Sequence, residues 1–217
     1  MTFSHDTHPA LYNACPVFEA VLPHLCRAYG RGAEADARRT AALRPLVQAL
    51  RNSRSDTAGL ARRGFAMADL ARTWAARALD AAWRPQHAAA LRACEPIVDF
   101  GTAHRARASE EDAFQAAWDE PTSESLAAAQ QAAWEASATM EDTQGGWRRK
   151  AAAHGALAGG WAAWAAVWAA RAAAMSTAAL DLCVSDLLAL VQRETARDER
   201  LLGQTVVYRG MRYTFRD

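Results

Sequence analysis

Residues 150–171 read Lys150-AAAHGALAGGWAAWAAVWAA-Arg171: twenty uncharged residues between two cations, with Trp161, Trp164 and Trp168 set among alanines and glycines. The length matches a bilayer crossing. The composition does not. Alanine and glycine gain little in hydrocarbon, His154 is polar, and the indoles lie in the second half of the stretch instead of at two interfaces. Beyond Arg171 the pattern continues into a segment carrying Asp181, Asp186, Arg193 and Glu194. The expectation is therefore a packed helix and no membrane partner. Trp161, Trp164, Trp168, Ala172, Met175, Ala179 and Leu182 recur at three- and four-residue steps, which places them on one face of one helix. Alanine elsewhere, with Gly155 and Gly159, lets neighbours approach closely while the indoles fill the space left. This reads as the central helix of a bundle. The same three tryptophans are also the lining of an apolar pocket if one exists.

Working outward, helical spacing dominates the chain. Val17, Phe18, Val21, Leu22 and Leu25 open a helix that Pro23 interrupts or kinks. A second helix is expected over about 37–51, or from near Leu43 with Pro45 in its first turn. A third runs over about 58–82 and ends at Trp83-Arg84-Pro85. A fourth covers about 86–94, and Pro96 stops it. Residues 97–108 are ambiguous. Ser109 is expected to cap a helix that opens on Glu110, Glu111 and Asp112, where acids meet the positive end of the helix dipole. Further helices are expected over 126–140 and, as two or one kinked at Gly159-Gly160, over 147–202. The tail from Gly203 to Asp217 partly alternates around Arg209-Gly210 and reads as a β-hairpin, which needs a surface to pack on. Residues 79–93 and 114–133 share an Ala-Ala-Trp, proline turn and alanine-rich helix, which suggests duplicated hairpins. The resulting picture is all-α: a bundle of six to eight helices, or stacked helical hairpins. An irregular arm occupies 1–16, one helical domain 17–202, and the hairpin 203–217 is packed on it.

Alanine makes up roughly a quarter of the 217 residues, and the 25 basic residues include one lysine, which reads as GC-rich codon usage in a bacterial gene. A net charge of +1 supplies no general field for polyanions. Four scattered cysteines without CxxC spacing, and no basic-then-apolar leader at the start, give the expectation of reduced thiols in the cytoplasm. His5, His8, His24, Cys15 and Cys26 cluster early but match no metal-ligand spacing, so neither a metal nor a cofactor is expected.

The charge map is asymmetric. From Arg38 to Arg107 thirteen arginines face five acids, whereas Glu110 to Asp142 holds nine acids and no cation. No phosphate loop, dinucleotide fingerprint, nucleophile elbow, HExxH or paired ExxH appears, so no catalytic residue is assigned. The expected function is non-catalytic: a protein that binds another protein stoichiometrically, in the manner of an immunity protein, an antitoxin or an accessory subunit. Docking would use charged helical surfaces, with Glu110, Glu111, Asp112, Asp119 and Glu120 on the acidic side and Arg38, Arg39, Arg62 and Arg63 on the basic side. One alternative is nucleic-acid binding by the arginine-rich region, with Arg62, Arg63, Arg148, Arg149 and Lys150 on phosphates. The other is an enzyme or carrier using the pocket of Trp161, Trp164 and Trp168.

Overall fold

The computed structural model describes residues 11, 13–51, 53–54, 57–99, 101–109, 165, 168–169, 172–173 and 177–201, and the backbone of 205–208 and 211–214. These residues are mostly helical. The bounded helices are α1 (Pro16–Glu19), α2 (Leu22–Ala28), α3 (Ala33–Leu50), α4 (Thr57–Ala81), α5 (Pro85–Ala93) and α6 (Thr177–Leu201), and residues 101–109 are helical as well. At the C-terminus, β1 (Thr205–Tyr208) pairs antiparallel with β2 (Met211–Thr214), with Thr205 opposite Thr214 and Tyr208 opposite Met211. The expected helix over 126–140, the break at Gly159-Gly160, the second copy of the suspected repeat and the first ten residues lie outside the described residues.

Proline places the first two helices. Pro23 has no N–H to offer Glu19, so the break falls at Ala20–Val21 and Pro23 sits in the first turn of α2. Phe18, Leu22 and Leu25 then reach the core. The α2–α3 turn needs Gly30 and Gly32 at positive φ, a conformation that side-chain-bearing residues rarely adopt.

Helix α3 corrects the expected boundary. It opens at Ala33, well before Leu43, and runs through Pro45. Pro45 and Ala41 both lie on the solvent side, so the Ala41 carbonyl that loses its intrahelical donor can be hydrated instead. Leu43, Leu46, Val47 and Leu50 keep the buried face intact across the defect.

Helix α4 is buried on nearly all sides. Small residues permit this: Gly64, Ala68, Ala71, Ala75 and Ala78 let neighbours close in around Met67, Trp74 and Leu79. Its last turn closes with Trp83 N–H on Asp80 O at 3.0 Å and Arg84 N–H on Leu79 O at 2.8 Å. This is the Schellman pattern, with Trp83 at φ 60° where glycine usually stands. Pro85 then opens α5.

Residues 97–108, ambiguous in sequence, resolve at Asp99. Its Oδ1 accepts from Thr102 N–H at 2.9 Å, and Thr102 Oγ1 accepts from Asp99 N–H at 3.0 Å, a reciprocal cap. The Thr102 N–H first, then the Thr102 hydroxyl, both donating to the Asp99 carboxylate, hold that carboxyl below the usual range. The helix so capped reaches Ser109, which therefore does not start a new one. A small second core of Phe65, Ala68, Ile97, Ala103 and Ala106 seats it.

On α6, Leu180, Cys183, Val184, Leu187, Leu190 and Val191 are buried, at steps of three and one. Leu182 is 48% exposed, which overturns its expected place on the buried face. The buried set of α6 is offset by one residue from the expected one, so Leu182 turns outward while Cys183 turns in. Ala165, Ala169 and Ala172 are nonetheless buried, and Trp168 packs half-buried on the main core. Helix α3 lies along α6, its start near Asp181 through Tyr29 and its end near Thr195, so the two run parallel. Helix α4 runs antiparallel to α6, joined through Arg62 at one end and Arg77 at the other. No helix among the described residues is long and apolar enough to cross a membrane.

Candidate interaction site

The arginines decide which surfaces remain for a partner. Arg39 is fully buried. It donates through Nη1 to Cys26 O and Gly30 O, both at 2.9 Å, and pairs with Asp36. Arg63 is likewise buried: Nη1 donates to Ser53 O, Nη2 meets Asp198 at 2.7 Å, and the guanidinium stands 5.4 Å from the Phe18 ring centroid. Arg62 donates through Nε to Glu194 Oε2 at 2.9 Å and pairs with Asp198 through Nη2. A guanidinium supplies five donors in a fixed fork, so one residue can bind several fixed acceptors. Here α4 uses that fork to hold α6, while Ser53 accepts from Cys15 N–H at 3.0 Å and ties in the start of α1.

The structure places the doublets Arg38-Arg39 and Arg62-Arg63, expected as docking or phosphate-binding residues, in unlike surroundings. Arg39 and Arg63 point inward and pair with acids of the chain, with Arg63 Nε left buried without a hydrogen-bond partner, and Arg62 is directed at α6. Arg38 alone of the four is at the surface, paired with Glu34 one turn away at 3.0 Å. The pairing extends further: Arg72 with Asp69, Arg77 with Asp186, Arg92 with Asp80 and Arg105 with Glu95. Among the described residues, at least eight of the thirteen arginines from Arg38 to Arg107 thus have acid partners on their own helices, nearby loops or α6.

Glu110, Glu111, Asp112, Asp119, Glu120, Arg148, Arg149, Lys150, Trp161 and Trp164 lie outside the described residues. Trp168 packs on the core.

Two further arrangements meet the description of a site. Around Tyr29, burial and hydrogen bonding combine: its hydroxyl donates to Asp181 at 2.6 Å, and burial first, then that bond, raises its pKa. Burial pushes the Cys183 thiol up to about 12 and raises Cys26 too, so both are held as inert thiols. Between α3 and α6 lies an open recess of about 400 Å³ in which Pro45, Gln48 and Ala49 face Gln192, Thr195, Ala196 and Glu199. Thr195 Oγ1 is buried there without a hydrogen-bond partner. The recess holds one carboxylate and no cation or thiol, so its lining offers hydrogen bonding, not an acid–base pair. No group of three or more His, Cys, Asp or Glu suited to a metal occurs among the described residues.

Sequence reasoning missed Trp83. It is 86% exposed, the most exposed large apolar residue among those described, and it sits at positive φ. The signal was present: Ala-Ala-Trp-Arg-Pro ends a long helix with no glycine or asparagine to take the left-handed position. The acids Glu194 and Asp198, four apart on α6, were also missed as partners for Arg62 and Arg63. Their signal was a same-face acidic pair on an otherwise apolar stripe. Comparison with known protein families, with curated proteins and with solved structures finds no match to this chain.

Proposed function

We propose that the chain is a non-catalytic protein-binding protein of bacterial, cytoplasmic type that docks stoichiometrically on a partner with a basic surface. The observation that carries this reading is the internal pairing of the arginines. With at least eight of thirteen bonded to acids among the described residues, the basic segment is a poor counterpart for an outside polyanion. The nine acids from Glu110 to Asp142, with no cation among them, are the proposed source of charge for a basic partner. Glu110, Glu111, Asp112, Asp119 and Glu120 form the proposed docking residues. The proposed architecture is a single helical bundle over 17–202, with the hairpin of β1 and β2 packed on it.

The test is capture of binding partners by the full chain at low and at moderate salt. The expected outcome is a basic partner retained at low salt and released as ionic strength rises, because exposed charges are screened beyond about 8–10 Å at physiological salt. The variant Glu110→Gln/Glu111→Gln/Asp112→Asn should weaken that retention about tenfold or more, on the scale of charge-pair couplings at interfaces. Recovery of no protein at low salt refutes the reading. Nucleic-acid binding would instead appear as a gel shift abolished by neutralising Arg148, Arg149 and Lys150.

A further inference from the structure

We draw no further inference here: the strongest candidate, the open recess between α3 and α6 bounded by Pro45, Gln48, Gln192, Thr195 and Glu199, carries none, because its carboxylate and two carboxamides single out no ligand class and nothing in the structure shows what covers it.

Discussion

At the scale of residues, burial separates arginines that look alike in sequence. Arg38 and Arg39 are neighbours, yet one forms an exposed pair with Glu34 and the other threads fully buried between α2 and α3. Exposed helix pairs contribute little to stability, whereas removing one member of a buried pair leaves a charge without compensation. Asp198→Ala, which strips a partner from both Arg62 and Arg63, should destabilise the fold by about 3 kcal/mol in urea unfolding. Arg38→Ala should leave the urea midpoint nearly where it is, since its pair with Glu34 is solvated. Equal effects would show that the α4–α6 clamp is not made as described. The periodicity of arginine in sequence carries no sign of this difference, because a guanidinium on a long stem can reach either water or the interior.

At the scale of elements, the helices between proline and polar breaks were legible from local chemistry. Helix α4 is displaced by one residue from its expected limits, and α5 starts at the proline expected to close α4. Local chemistry misled in two places. At Pro45 a helix survives a breaker because the lost bond faces solvent and the next turns are anchored by Leu46 and Leu50. On α6 the buried stripe is offset by one residue from the register read from Trp161 to Leu182: Leu180 and Cys183 are buried and Leu182 is exposed. The shift makes a direct prediction. Leu187 is fully buried, and Leu187→Ala should cost about 2–5 kcal/mol, as core leucine truncations do. Leu182→Ala should be close to neutral, as surface substitutions usually are. The reverse order in thermal or urea unfolding would restore the tryptophan register. The cap at Asp99 shows the other kind of omission: Asp-x-x-Thr is a helix start readable in sequence, hidden here by the neighbouring acidic run at Glu110.

At the scale of the whole molecule, one core joins α1 to α6, and the partly buried His24 of α2 gives an expected dependence of stability on pH. His24 has its pKa lowered from 6.5, first by burial and then by Arg27. The unfolded chain therefore takes a proton at His24 near pH 6.5, while the folded chain resists until lower pH. In that interval the unfolded state binds more protons, so stability falls as pH falls through 6.5 toward the folded value. Urea midpoints measured from slightly alkaline to mildly acidic pH should decline, and His24→Gln should flatten part of the decline. An identical slope in the variant would remove His24 as the cause.

The sequence by itself determined the helical class, most helix boundaries and the acidic and basic halves of the charge map. These follow from the helical repeat, from proline and capping residues, and from simple charge counting, all local properties of the chain. Only the tertiary structure decided which charges are surface and which are interior. It carried Arg62 and Arg63 to acids on α6, the far end of the described chain from α4, and it left Trp83 exposed to solvent at a strained turn. Pairing across that distance depends on how α4 and α6 pack, and packing is a property of all the faces together, which no local pattern encodes.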